Sequence, residues 1–348
     1  MTRSVIEFFD TSTRPTTAMR EAMSAAVVGD DVYGTDPTVR ELEERAAELL
    51  GMPAALFTPS GTMANLIALR VHARSGHAVV ADADTHLLRA ETGGIAAVGG
   101  LMPTPVAAPG GILDVDAVEA ALQPGDDHVP PVGLVWLENT HNRAGGTITD
   151  VATTGRLAAV CRQAQVPLHV DGARLLHAAL ELDVDPAALT DGADSVMLAF
   201  SKGLGAPVGS VVAGDEQFVT RARRVRKMLG GGMRQAGVIA AAALVALDDG
   251  YSHLADDHRR ARQLAQRLAQ VPGVVATPDP PPTNMVFVDV AGTGRSARGL
   301  ADALATAGFT VSTPAATTLR FVLHRDVSDD DVDAVARGLA TAVAPPRG

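Results

Sequence analysis

Val166-Pro167-Leu168-His169-Val170-Asp171-Gly172-Ala173-Arg174 and, 31 positions after its aspartate, Ser201-Lys202-Gly203-Leu204-Gly205 decide how this chain is organised. The first stretch, and the run 195–200 that precedes the second, are short and apolar and end in polar residues and glycine, as buried strands do. The span between them holds one helix. The spacing is therefore one strand–helix–strand step, which lets Asp171 and Lys202 reach the same mouth of a sheet. Working outward, further short apolar strands are expected at 78–81, 132–137 and 209–213, with helices at 151–163 and 216–228 between them. Asp36-Pro37 reads as an N-cap with proline in the first turn, followed by Val39, Leu42, Ala46, Leu49 and Leu50 at helical spacing and Gly51 as a stop. Strand and helix in alternation predict an α/β fold with a mainly parallel central sheet covered by helices, and the ligand site then lies at the carboxyl ends of the strands.

After a helical region at 235–270 the texture changes. Asp279-Pro280-Pro281-Pro282 can continue neither helix nor central strand. Short strands at 285–290, 309–312 and 319–323 and helices at 298–307 and 329–342 follow, with Ser328 and Asp331 spaced as a capping box. The expected division is an N-terminal arm and large domain over 1–250 and a small C-terminal α+β domain over 251–348.

The chain has 348 residues, 47% hydrophobic, and a formal net charge of −11 without an acidic tail. Such a charge disfavours nucleic acid and anionic membranes as partners, since both need a basic face. Cys161 is the single cysteine, so no internal disulfide is available, and it reads as a buried structural thiol. No Cys/His spacing suits zinc, and no metal is expected. Neither a leader segment nor a long apolar run is evident, and the cytoplasm is the expected location.

Four stretches carry chemistry. Lys202, at a strand end on a glycine-loosened loop, suits a Schiff-base lysine. Asp171, at a buried strand end, needs a cationic partner, which a protonated pyridine ring would be. Ser60-Gly61-Thr62, between an apolar run and a helix, offers backbone N–H groups to an anion such as a phosphate. Gly230-Gly231-Gly232 followed by Met233-Arg234 offers a second phosphate clamp. Taken singly, each is equally compatible with a loop lysine, an Asp171–Arg174 ion pair, an empty N-cap and a flexible turn. Together they argue for pyridoxal 5'-phosphate (PLP).

Longer stretches carry a resemblance to the L-threonine aldolase family, PLP enzymes of the aspartate-aminotransferase-like fold type I within the β-eliminating lyase superfamily. These are Gly29-Asp30-Asp31-Val32-Tyr33-Gly34, Phe57-Thr58-Pro59-Ser60-Gly61-Thr62-Met63-Ala64-Asn65, Glu138-Asn139-Thr140-His141-Asn142, the Asp171 and Lys202 stretches, and Leu229-Gly230-Gly231-Gly232-Met233-Arg234-Gln235-Ala236-Gly237. The resemblance implies retro-aldol cleavage of L-threonine, L-allo-threonine or a related β-hydroxy-α-amino acid to glycine and an aldehyde. It implies Lys202 as the Schiff-base lysine, Asp171 facing the pyridine nitrogen and Arg174 near the phenolic oxygen. Ser60, Gly61, Thr62 and Arg234 would hold phosphate, the arginine from a neighbouring subunit. His86 would stack on the ring, and His128, in Gly125-Asp126-Asp127-His128, would lie near the substrate hydroxyl; His86, His128 or a water they hold would be the base that takes the hydroxyl proton. Arg320 would bind the substrate carboxylate; read without the resemblance, it is an edge-strand surface charge. His141 is expected to organise its own loop and His169 to pack in the core. The family resemblance also implies a homodimer or homotetramer with active sites at subunit interfaces. Where such chains carry Arg-Ser-Asp-Thr near the start, this one has Phe8-Phe9-Asp10-Thr11, which loses a serine hydroxyl unless Ser12 serves. The alternatives are β-elimination, transaldolation or aminotransfer on the same scaffold, and a non-catalytic PLP-binding homologue.

Overall fold

A computed structural model describes residues 5–125 and 127–344. The chain forms two compact units, one of residues 15–251 and one that joins residues 5–14 to residues 252–344.

The larger unit is built on a seven-stranded sheet. Its spatial order is Ala54–Thr58, Ser210–Gly214, Ser195–Ala199, Leu168–Gly172, Val132–Glu138, Ala78–Asp82, Met102–Val106. Ser210–Gly214 runs antiparallel to both neighbours, and the remaining pairings are parallel. Such a sheet buries both faces, which is why its inner strands are mostly apolar; Leu134, Val135, Val170, Val196 and Val212 are fully buried. The edge strand Met102–Val106 has no apolar-run signature, because Pro103 and Pro105 can only be tolerated at an edge. The helices start as local chemistry dictates. Asp36, Asp150 and Asp215 each accept a first-turn backbone N–H, at helices Pro37–Leu49, Val151–Ala164 and Glu216–Met228. The 235–270 region divides into Gly237–Asp248 and Leu254–Leu268.

The smaller unit has a four-stranded antiparallel sheet in the order Ser312–Ala315, Thr318–Val322, Met285–Asp289, Val275–Ala276. Helices Leu254–Leu268, Ala297–Thr306 and Asp329–Val343 accompany it, the last opened by a full Ser328–Asp331 capping box. The N-terminal arm, expected with the large domain, belongs here instead. Ile6–Glu7 pairs in parallel with Phe309–Thr310, and Phe8 is buried against Phe309 and Phe321, its ring 5.5 Å from that of Phe321. The physical reason is that a fully apolar side chain flanked by a strand-forming pair finds both an open sheet edge and an aromatic core in this unit. Arg320 sits on the interior strand Thr318–Val322, not on an edge.

Candidate active site

The site in the larger unit is built at the carboxyl ends of sheet strands and in the segments that follow them. Asp171 and Gly172 end one strand, with Asp171 paired in register to Glu138 on the next. Asp171 is 1% exposed, accepts from the Ala173 backbone N–H at 3.2 Å and from Asn65 Nδ2 at 2.9 Å. Burial pushes its carboxyl up to about 6; Glu138 adds to the rise, and His86 and Lys202 oppose it. A buried acid of this kind, with cations in electrostatic reach, is suited to stabilising a positive charge held against it.

Asn65 comes from the first turns of helix Gly61–His72. Its amide reaches Glu91 Oε1 at 2.6 Å as well as Asp171. Glu91 Oε1 in turn faces His86 Nδ1 at 3.0 Å. His86 opens the short helix His86–Arg89 after the strand Ala78–Asp82. Glu138 holds that corner, with Oε2 accepting from Thr85 Oγ1 at 2.7 Å and from the His86 backbone N–H, and Oε1 from Asn142 N at 2.8 Å. The hydrogen bond to Glu91 raises the pKa of His86 against the opposing effect of burial. Ligating atoms of His86, Glu91 and Asp171 lie within 4.8 Å of one another, a grouping hidden in the sequence by separations of 5 and 80 positions. The expectation of no metal-ligand cluster is amended to that extent. The facing oxygens are engaged by Asn65 and His86, so the set is a hydrogen-bonded network.

Lys202 is half-buried on the loop after Ser195–Ala199, where Gly205 N donates to its carbonyl at 2.9 Å and Ala206 N donates to Phe200 O at 3.0 Å. The loop closes on Gly209, at φ +112°, where a Cβ would lie 2.7 Å from the Phe57 ring; only glycine fits that approach. Ser60 caps its helix by accepting from Met63 N, which leaves the Gly61 and Thr62 N–H groups without intrahelical partners. Arg174 is 7% exposed at the start of helix Leu175–Leu182. A half-buried lysine, a buried acid and a helix N-terminus with N–H groups outside the helix ladder fit a cofactor that carries an aldehyde, a basic ring nitrogen and a phosphate.

Other expected residues have these surroundings. Arg234 is exposed and paired to Asp30 at 2.9 Å, with its guanidinium 5.8 Å from the centre of the Tyr33 ring. His128 is exposed in the loop 122–131; Asp126 in the same loop is outside the described residues. In the smaller unit, the Arg320 guanidinium lies 5.7 Å from the Phe287 ring centre and Nη2 is 3.6 Å from Met285 Sδ. Phe9 is half-buried, and its carbonyl accepts from Ser12 Oγ at 2.7 Å, so that hydroxyl is already engaged locally. His141 accepts from Ala144 N at 3.1 Å and faces Asp82 at 2.7 Å, organising its own loop. His169 is buried beside Trp136, 4.4 Å between ring centres. Glu91 and Glu138 carry no local signature in the sequence, since a lone glutamate before glycines or at a strand end reads as a surface charge.

The Beta-eliminating lyase family model matches residues 9–293. Low-specificity L-threonine aldolase 1 of Arabidopsis thaliana is 44% identical over 335 residues, covering 95% of this chain and 94% of its own. The low specificity L-threonine aldolase of Escherichia coli (strain K12) is 40% identical over 328 residues, with 94% and 96% covered. Among solved structures, a Leishmania major threonine aldolase superposes with a TM-score of 0.82 at 23% identity, covering 97% of this chain and all of that one.

Proposed function

The chain belongs to the beta-eliminating lyase family, and from that membership we propose that it cleaves L-threonine, L-allo-threonine and related β-hydroxy-α-amino acids, reversibly, to glycine and an aldehyde. It is a carbon–carbon lyase of the PLP fold type I. The observation that carries the reading is the convergence of Asp171 and His86, tied together by Asn65 and Glu91, with Lys202 in electrostatic reach of both, at the carboxyl ends of one sheet.

Pyridoxal phosphate, when bound, supplies an electron sink conjugated to the substrate α-carbon. Lys202 would hold its carbonyl, and Ser60, Gly61 and Thr62 its phosphate. Asp171 would keep the ring nitrogen protonated, a task its raised pKa favours only once a cation faces it. His86, or a water it holds, takes the proton of the β-hydroxyl, because an imidazole near neutrality can both accept and return it. Arg174 and His128 are assigned to the substrate's polar groups and Arg320 to its carboxylate. Arg234, exposed beside Asp30 and Tyr33, is assigned to the phosphate of a neighbouring subunit, in a homodimer or homotetramer. No helix among the described residues is long and apolar enough to cross a membrane; the cytoplasm is the proposed location. Phe9, in place of a serine hydroxyl, favours a bulkier or more apolar substrate.

The test is to load the purified protein with PLP, supply L-threonine or L-allo-threonine, and assay acetaldehyde and glycine. Both products are expected, and both are expected to vanish in Lys202→Ala together with the visible absorbance of the bound cofactor. A visible band with no aldehyde from either isomer would assign the site to another reaction of the same scaffold.

A further inference from the structure

Glu91 sits in a place where packing alone would not keep a carboxylate. It is 5% exposed, and its Oε2 is buried with no hydrogen-bond partner, an arrangement that is costly unless the other oxygen does something that an apolar residue could not. That other oxygen accepts twice, from Asn65 Nδ2 at 2.6 Å and from His86 Nδ1 at 3.0 Å. Chemistry fixes both donors. The Asn65 amide must turn its NH2 to the two carboxylates, because its carbonyl facing Glu91 and Asp171 would put acceptor against acceptor. His86 must carry its proton on Nδ1 to meet Glu91, so a neutral ring has its lone pair on Nε2.

We propose that Glu91 is a positioning residue for carbon–carbon cleavage: it holds the Nδ1 proton of His86, which makes Nε2 the nitrogen that takes the substrate hydroxyl proton, directly or through a water. This rests on the cleavage reading of the site. As the Cα–Cβ bond breaks, the hydroxyl proton leaves for Nε2 and the aldehyde C=O forms. The bond pair stays with the glycine fragment, whose α-carbon gains one proton, so the proton taken balances the proton returned. A carboxylate behind an imidazole fixes the tautomer and stabilises the charged ring that forms. The same Asn65 amide links Glu91 to Asp171 at 2.9 Å, so the acid facing the cofactor ring and the base facing the substrate share one brace. The other charged groups acting on His86 are Asp171, in the same sense as Glu91, and Lys202, against it.

Glu91→Gln, with Glu91→Asp as the conservative variant, tests this in two ways. Nitrogen–proton correlation NMR on histidine-labelled protein, with and without PLP, reads the tautomer and titration of His86. In the wild type the ring is expected as the Nδ1–H form; in Glu91→Gln, whose amide oxygen can still accept that proton but carries no charge, the ring titrates at lower pH. Steady-state kinetics on the PLP-loaded protein are expected to show kcat lower by roughly 10–100-fold, part of the 10²–10⁴ that positioned proton transfer contributes. KM should stay within about twofold and Glu91→Asp should recover part of the loss; proton transfer of this kind depends on geometry first and pKa second. A wild-type His86 ring protonated on Nε2, or an unchanged titration in Glu91→Gln, would overturn the proposal, as would a fall in kcat that only follows lost cofactor. Absence of aldehyde from the wild type would remove the cleavage reading, while the NMR arm would still decide whether Glu91 sets the proton on His86.

Discussion

Replacing Asn65 by aspartate keeps the shape of the side chain and removes both donors from the brace. Wild-type Asn65 donates to Glu91 at 2.6 Å and to Asp171 at 2.9 Å, and a hydrogen bond to a charged group is worth about 1.5–3 kcal/mol. The variant can mend one of the two by taking up a proton. With Asp171 pushed up to about 6, protonating it at pH 7 costs about 1.4 kcal/mol. The loss at pH 7 is then that proton plus one unreplaced hydrogen bond, about 3 kcal/mol, and it grows at pH 8, where the proton costs about 1.4 kcal/mol more. At pH 5.5 the proton is already bound and the loss shrinks to about 1.5 kcal/mol. The sign follows from the raised pKa: the folded state binds the proton more readily than the unfolded chain, so stability rises as pH falls from about 6 towards the ordinary carboxylate range. At about 2–4 °C per kcal/mol for a unit of this size, the cofactor-free variant should melt about 6–12 °C below wild type at pH 7, and about half that at pH 5.5. Thermal unfolding at pH 5.5, 7 and 8 measures it. A variant within about 1 °C of wild type at pH 8, or one hurt more at pH 5.5 than at pH 8, would refute the bridging role of the amide.

Two further outcomes follow from groups away from the site. His72 Nε2 and His169 Nδ1 both meet Ser195 Oγ at 2.7 Å; burial pulls His72 down to about 4 and His169 well below its ordinary value. Both are neutral when folded, so stability is present above about pH 6.5 and is lost as pH falls towards 4, by about 2 kcal/mol for His72 after allowance for its partial exposure. Denaturant midpoints at pH 7 and pH 4.5 should show this loss, and His72→Gln should reduce it; an unchanged pH dependence in the variant would contradict the assignment. Burial pushes the Cys161 thiol up to about 12, so a thiol-specific disulfide reagent at pH 8 should label it only after unfolding. Rapid labelling of the native protein would contradict its burial.

The fold was largely legible because its signals are local. Apolar runs within 132–138, 168–172 and 195–199, the Asp36 N-cap and the Ser328–Asp331 box each depend on a few neighbouring residues. Lys202, Asp171 and Ser60 stood out as candidates for the same reason, since each follows a strand run and precedes a glycine or a helix. Two features were not. Phe8 looks alike whether it is bound for one unit or the other, and only the pairing of Ile6–Glu7 with Phe309–Thr310 settles its place. Glu91, Asn65 and Glu138 are ordinary polar residues in sequence. They become a network because strand order places the end of Val132–Glu138 between the strand of Asp171 and the strand that leads to His86. Hydrogen bonds act over about 3 Å, whereas the Asn65–Glu91, Asn65–Asp171 and Glu138–Thr85 pairs meet across separations of 26 to 106 positions along the chain. The sequence by itself determined which side chains could bear the chemistry. The tertiary structure decided which of them share a proton.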